Sequence, residues 1–289
     1  MAGPILVTGA TGRLGAYVLR ELASAGVPAV GWSHSTPGAL FGIPLQPVEL
    51  ADADDTVRAF RMTNPSVVIH AAAIALPKEC DRHPERAERV NVGGSRVLAE
   101  LADRMVFVST DLVFDGERGL YKEDDPVAPL SLYGRTKVEA ERAILAFPRH
   151  SVVRVNWMFG PPLAGGRPSF FDDQVSALKA GSRLPLFHDE RRSPLGLVTA
   201  ARALVAVARS QYTGVLHVGG PEPLSRLKFG QRLAGYLNLD PSRIIPTSRM
   251  DGATVPRPRD TSFDSSRWRG LFPDLAWPTF EESMHEMAL

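Results

Sequence analysis

The chain has 289 residues, 44% of them hydrophobic, enough to bury one large core or one and a half. With 33 basic and 32 acidic side chains and a formal net charge of +1, nothing points to nucleic acid or a membrane surface as a partner. No apolar stretch approaches the roughly 18 residues of a membrane span. The first strand pattern begins almost at Met1, leaving no room for a signal peptide. Cys80 is the only cysteine, which excludes intramolecular disulfides and favours a reducing, cytoplasmic location. Nothing near Cys80 resembles an activating arrangement, so it reads as a packed or surface thiol.

Residues 4–8 form a short apolar, β-branched run, the pattern of a buried parallel strand. Gly9-Ala10-Thr11-Gly12-Arg13-Leu14-Gly15 follows, and residues 16–25 read as a helix ending at Gly26. Strand, glycine turn and helix is the setting in which backbone N–H groups approach a pyrophosphate, aided by the positive end of the helix. The spacing is Gly-x-x-Gly-x-x-Gly rather than Gly-x-Gly-x-x-Gly. Strand two is expected over 28–32, strand three over 45–50, and a helix with an acidic first turn over 52–62. Strand four covers 66–70 and runs into Ala71-Ala72-Ala73. A long amphipathic helix spans 84–102, with Pro84 at its start, and strand five covers 105–109. Strand six is placed at 151–155, a glycine-rich loop at 160–166, and helices at 167–180 and 200–210. A charged stretch covers 189–193, and a last strand 215–218.

This alternation implies a parallel sheet with right-handed crossovers, and ligands bind outside the carboxyl ends of such strands. Gly9, Ala71 to Ala73, Thr110 and the segment after Val155 then share one edge with the helix carrying Tyr133 and Lys137. Those two lie four residues apart, on one helical face. A free phenol has a pKa near 10, and an ammonium one turn away is expected to lower it toward the working range. The Thr110 hydroxyl, following strand five, supplies a second donor toward a carbonyl oxygen that Tyr133 protonates, with a reduced nicotinamide on the other side of the carbon.

The chain resembles the extended short-chain dehydrogenase/reductases and, among them, the dTDP-4-dehydrorhamnose reductase family. The motifs that carry the resemblance run from Thr8 to Gly15, through His70-Ala71-Ala72-Ala73, Val90-Asn91-Val92 and Ser109 to Gly116. They continue through Tyr121-Lys122-Glu123-Asp124 and Pro129 to Glu141, and end in Pro256-Arg257-Pro258-Arg259-Asp260-Thr261-Ser262-Phe263-Asp264. The resemblance implies an α/β, Rossmann-type doubly wound parallel sheet with a smaller C-terminal substrate-binding lobe. Residues 1–155, joined by 190–218, would bind NADP(H); residues 156–189 and 219–289 would form the lobe.

Carried over by position, Tyr133 is the general acid, Lys137 lowers its pKa and holds the nicotinamide ribose, and Thr110 orients the substrate carbonyl. The cofactor set is Gly9, Thr11, Gly12, Arg13, Leu14, Gly15, Ser33, His34, Ser35, Glu49, Leu50, Ala71, Ala72, Ala73, Asn91, Ser109, Tyr133, Lys137, Asn156 and Trp157. Within it, Glu49 and Leu50 meet the adenine, Asn91 supports the lysine or its water, and Asn156 and Trp157 line the nicotinamide side. Trp157 reads equally well as a core aromatic. Thr110, Asp111 and Arg257 are the substrate set; Arg191 and Arg192 join Arg257 as candidates for a nucleotide diphosphate, or stand as surface arginines. No metal site is expected.

NAD-preferring relatives carry a carboxylate at the end of strand two, which repels a 2′-phosphate. Here that stretch is Trp32-Ser33-His34-Ser35-Thr36, and Arg13 in the glycine loop is a candidate to reach the phosphate as a planar fork. NADP(H) is therefore expected, with NAD(H) as the second candidate. Some reductases of this type place a magnesium-binding Glu two residues after the third glycine, at a subunit interface; this chain has Tyr17 there. Monomer and homodimer both stay open. The expected activity is hydride transfer to the 4-keto group of a nucleotide-linked deoxysugar. The alternatives are a nucleotide-sugar epimerase and an NADP-binding regulatory subunit like that of methionine adenosyltransferase.

Overall fold

The apolar runs form β1 (Ile5–Thr8), β2 (Ala29–Ser33), β3 (Gly38–Leu40), β4 (Ile43–Pro47), β5 (Val67–His70), β6 (Met105–Thr110) and β7 (Ser151–Val155). The structure, a computed structural model, describes residues 3–164, 168–251 and 257–287. Helices α1 (Arg13–Ser24), α2 (Ala53–Thr63), α3 (Pro77–Arg82), α4 (Pro84–Glu88), α5 (Ser95–Leu101) and α6 (Leu132–Leu145) connect the strands. Beyond β7 come β8 (Met158–Phe159), α7 (Phe170–Lys179), β9 (Leu184–Phe187), β10 (Arg191–Arg192), β11 (Leu195–Gly196), α8 (Leu197–Arg209) and β12 (Gly214–Val218). The chain ends with β13 (Leu224–Ser225), α9 (Arg226–Tyr236), β14 (Ile244–Thr247), α10 (Ser266–Leu271) and α11 (Phe280–Glu286).

The main sheet has the order β12-β7-β6-β5-β1-β2-β4-β3, parallel except for β3 against β4. The chain builds outward from β1 to β3, then crosses back to β5 and builds the other way. The β1/β5 boundary is thus the switch point, where a crevice opens at the carboxyl ends of the strands. The sheet is buried on both faces, which is why its strands are unbroken apolar runs. Ile5, Val7, Val106, Val108 and Val153 pack with α1 and α8 side chains, while Leu6, Val68, Phe107 and Val152 pack with α2, α5 and α6.

Several expected boundaries shift. Strand three lies at Ile43–Pro47 rather than 45–50, because it begins in a hairpin with β3 that the sequence did not announce. The hairpin turns on Phe41 and Gly42, both at positive φ (54° and 78°), and a phenylalanine there is an unusual turn residue. The continuous helix over 84–102 is instead α4, a π-helical turn at Arg89–Gly94, and α5. A π turn widens the helix at this point, a distortion frequent at functional sites, and it carries Asn91. The helix expected from 167 starts at Phe170, where Ser169 and Asp172 form a capping box; Arg167, Gly165 and Gly166 lie outside the described residues. Helix α8 starts three residues before the expected 200.

The later segments form three short pairings: β8 with β11, β9 with β14, and β10 with β13. Phe159, Phe171, Phe229 and Phe280 pack around one another beside them.

Candidate active site

A cleft of about 390 Å³ opens at the ends of β1, β2, β4 and β5. Of the expected cofactor residues, Gly9, Thr11, Ser33, His34, Glu49, Leu50, Ala72 and Ala73 line it. Thr8, Trp32, Val48, Ile74, Glu79, Arg86 and Val90 complete the wall and were not foreseen. Gly12 caps the N-terminus of α1, whereas the Leu14 side chain is buried in the core between α1 and the sheet. Gly9 has φ +65°, and a Cβ there would meet the Ala72 backbone nitrogen at 2.8 Å, so the loop floor accepts no larger residue.

The floor of the switch point is a chain of hydrogen bonds with one consistent polarity. Ala72 N–H donates to Thr8 Oγ1, Thr8 Oγ1 lies 2.6 Å from His70 Nδ1, and His70 Nε2 lies 2.9 Å from Ser95 Oγ. Ser95 donates to the Asn91 carbonyl, so it accepts from His70 Nε2–H, leaving Nδ1 to accept from Thr8. Burial, helped by nearby Lys137, pushes the His70 pKa down to about 3, which keeps the ring neutral.

Asn91 does not reach Lys137. Its amide accepts from Ile74 N–H at 2.8 Å and donates to the Ile74 carbonyl and to Thr136 Oγ1, each at 3.1 Å. Thr136 in turn donates to the Tyr133 carbonyl. Asn91 therefore pins the loop after β5 to the Tyr–Lys helix.

Helix α6 is capped by Ser131, which accepts from Gly134 N–H at 3.1 Å. A Cβ on Gly134 would sit 2.3 Å from the Leu112 carbonyl oxygen. Glycine thus lets the first turn of α6 close on the 3-10 turn that follows Thr110. The result sets Tyr133 next to Thr110, Asp111 and Cys80. Cys80 is fully buried against Tyr133 and donates to the Ile74 carbonyl, so its packed reading is the right one.

The expected lowering of the Tyr133 pKa by Lys137 does not occur in this structure. Burial raises it first, the Asp111 carboxylate and Cys80 add to the rise, and the bond with Thr110 only partly opposes them. Lys137 itself is 2% exposed, with its ammonium 3.8 Å from the centre of the Phe107 ring. Burial pushes its pKa down to about 7 against the raising effect of Glu141. Ser109 has a buried hydroxyl with no hydrogen-bond partner, one of few such atoms among the described residues. Strand alternation puts it on the Phe107 side of the sheet, where Lys137 lies.

Thr110 also donates to Asp111 Oδ1 at 3.3 Å. Asp111 is buried, accepts from Thr261, and pairs with Arg192 at 3.0 Å. Arg192 continues to Glu190 at 3.3 Å, where Arg226 (2.5 Å) and Arg257 (2.9 Å) also converge. Burial alone would raise the Glu190 carboxyl, but Arg226, Arg192 and Arg257 overcome it and hold the pKa at about 2. Arg192 is thus a buried ion-pair partner rather than a surface residue; Arg191 is exposed, and Arg257 is half-exposed and held by Glu190. Of the late motif, Pro256 lies outside the described residues.

Four further expectations change. Arg13 does not reach toward the adenine ribose: it pairs with Asp172 at 2.5 Å and donates to the Gly160 carbonyl at 2.8 Å. The Asn156 amide is occupied within the protein, donating to the Thr261 carbonyl and accepting from Trp157 and Ser193 N–H groups. Trp157 is half-buried, stacked on Phe170 at 4.1 Å with the Arg226 guanidinium over its ring at 4.3 Å. Ser35 is exposed and outside the cleft wall, while the Ser33 hydroxyl closes a turn with Thr36.

Tyr17, at the position two residues after the third glycine, is buried and donates to the Pro161 carbonyl at 2.9 Å. Among the described residues, no cluster of His, Cys, Asp or Glu is placed to hold a metal ion, and no helix is long and apolar enough to cross a membrane.

The RmlD substrate binding domain family matches residues 3–288. A probable low-salt glycan biosynthesis reductase, Agl14, of Haloferax volcanii is 31% identical over 96% of this chain and 95% of its own. A probable dTDP-4,6-dihydroxy-2-methyloxan-3-one 4-ketoreductase of Streptomyces antibioticus is also 31% identical, over 94% and 91%. Methionine adenosyltransferase 2 subunit beta of Danio rerio is 30% identical over 91% and 83%. Among solved structures, a hypothetical dTDP-4-dehydrorhamnose reductase from Sulfolobus tokodaii superposes with a TM-score of 0.82 at 28% identity, covering 93% of this chain and 94% of that one. MoeE5 in complex with UDP-glucose and NAD superposes at 0.80 with 25% identity, covering 98% and 96%.

Proposed function

Since the chain belongs to the RmlD substrate binding domain family and is an enzyme with the short-chain dehydrogenase/reductase fold, we propose that it is an NADPH-dependent reductase of a nucleotide-linked 4-keto-deoxysugar. The observation that carries this reading is the meeting of Tyr133 and Thr110 beside the buried Lys137. Two features fit a dinucleotide: the Gly9 floor that a Cβ would fill, and the unpartnered Ser109 hydroxyl on the sheet face that Lys137 covers. Gly9, Thr11, His34, Glu49, Leu50, Ala72 and Ala73 would hold the adenosine and pyrophosphate, and Ser109, Tyr133 and Lys137 the nicotinamide end.

When bound, the reduced nicotinamide supplies the hydride. Thr110, whose hydroxyl donates to Asp111 Oδ1 here, would turn that one proton to the substrate carbonyl oxygen and fix its direction. Tyr133, kept protonated by its raised pKa, gives its phenolic proton to that oxygen as the alkoxide forms. Lys137 stands one turn along α6, where it would hold the nicotinamide ribose. Asp111 keeps Thr110 oriented and is itself anchored by Thr261 and Arg192. Arg191 and the exposed part of Arg257 would be candidate partners of the nucleotide diphosphate.

Loss of reduced-nicotinamide absorbance against a panel of nucleotide-4-keto-sugars tests the reading, with rapid turnover of one member expected. No turnover of any, by a preparation that binds NADPH, would count against it. The Danio rerio relative motivates a second reading, an NADP-binding regulatory subunit. Tyr133→Phe separates the two: an enzyme loses turnover while keeping the cofactor, whereas a regulatory subunit acts on its partner as before.

A further inference from the structure

The withdrawal of Arg13 from the adenosine side leaves a different cation on the cleft wall. We propose that Arg86, with His34 beside it, reads the 2′ position of the adenosine ribose and makes the site select a 2′-phosphate. This rests on the reading that the bound cofactor is an NADP-type dinucleotide.

The backbone explains the placement. β2 and β4 run parallel, with Ser33 opposite Pro47, so the residues just beyond them, His34 and Glu49, emerge side by side at the mouth of the cleft. Their side chains meet, His34 Nε2 lying 3.1 Å from Glu49 Oε2. Arg86 approaches from α4 on the opposite wall, 3.2 Å from His34 Nε2 and 3.9 Å from Glu49 Oε2. Its side chain is 51% exposed, so it is held by weak, solvated contacts that a phosphate can replace.

Charge decides the rest. Apart from His34, the charged side chains on the wall are Glu49, Glu79 and Arg86. Without Arg86 the lining would carry two carboxylates and no arginine or lysine, a surface that repels a phosphate dianion and accepts a ribose hydroxyl. With Arg86, a guanidinium fork is available for the phosphate oxygens. Glu49 is steadied by accepting from Ala51 N–H at 3.0 Å, and so stays at the mouth when Arg86 turns to a ligand.

The test is direct binding of NADPH and NADH to the full chain, by titration calorimetry, for wild type, Arg86→Gln, Arg86→Lys and Arg13→Gln. Arg86→Gln is expected to weaken NADPH by about tenfold or more and to leave NADH nearly unchanged. Arg86→Lys should recover part of the loss, and Arg13→Gln should lower the melting temperature without changing the NADPH-to-NADH ratio. An unchanged ratio in Arg86→Gln, or an equal weakening of both dinucleotides, would overturn the assignment while leaving the cofactor reading intact. A wild-type protein that binds neither dinucleotide would overturn both, and one that binds NADH more tightly than NADPH would overturn the selection argued here.

Discussion

Replacing Lys137 by methionine should change how stability depends on pH, because the ammonium is buried at 2% exposure with a pKa near 7 instead of 10.5. Between those values the unfolded chain holds a proton that the folded chain does not. Unfolding therefore takes up a proton, and wild-type stability rises with pH across this window. Below pH 7 both states are protonated and the full cost of burying the charge is present. At 1.36 kcal/mol per pKa unit, that cost is roughly 3–5 kcal/mol. Methionine has a similar length and no charge, so the variant escapes the cost.

Urea denaturation of both proteins at pH 7, 8.5 and 10 measures it. The stability of Lys137→Met relative to wild type should be highest at pH 7 and fall by about 3 kcal/mol or more by pH 10. Cys80 and Tyr133, both pushed upward by burial, also make stability depend on pH in this range, but both proteins carry them and the comparison cancels them; His70, at about 3, lies outside it. A relative stability that stays flat with pH would refute the argument that this lysine is held partly neutral by burial.

Three other outcomes follow from the same geometry. Tyr133→Phe should cut kcat at least a hundredfold while dinucleotide affinity, read by fluorescence titration, is retained. Asp111→Ala removes one of the two carboxylates on Arg192, 4% exposed, leaving Glu190, and should lower stability by about 1–3 kcal/mol; the urea midpoint reports this. Gly134→Ala places a methyl 2.3 Å from the Leu112 carbonyl, forcing α6 away from the Thr110 turn. It should cost about 1–3 kcal/mol in thermal unfolding and reduce kcat more than it raises KM.

The parallel strands were legible because both faces of the sheet are covered and their apolar runs are unbroken. The glycine turn before α1, Thr110 at the end of β6 and the shared face of Tyr133 and Lys137 on α6 were legible because local chain geometry fixes their placement. Side-chain destinations set by distant partners were not. Arg13 is captured by Asp172, 159 residues away, and Asn156 by Thr261, 105 residues away; no local pattern announces either. The π turn at Asn91 keeps the helical periodicity of its flanks, so it reads as ordinary helix. Arg86 lay on a polar helix turn indistinguishable from a solvated face until β2 and β4 brought His34 and Glu49 opposite it. The Phe41-Gly42 hairpin offered one signal, Gly42, and a phenylalanine that argued against it.

The direction of the Tyr133 shift bears on the choice between a reductase and an epimerase. An epimerase must first remove a proton from a sugar hydroxyl, which requires the phenolate, before it returns one. A reductase needs only the protonated phenol at the start. Burial and the Asp111 carboxylate both favour the protonated form, and Lys137, with its own pKa near 7, carries a reduced share of positive charge to oppose them at neutral pH. The resting site therefore holds the proton that a reductase delivers. The stoichiometry of cofactor use checks this: a reductase consumes one reduced dinucleotide per alcohol formed, whereas product appearing with no net cofactor oxidation would reverse the assignment.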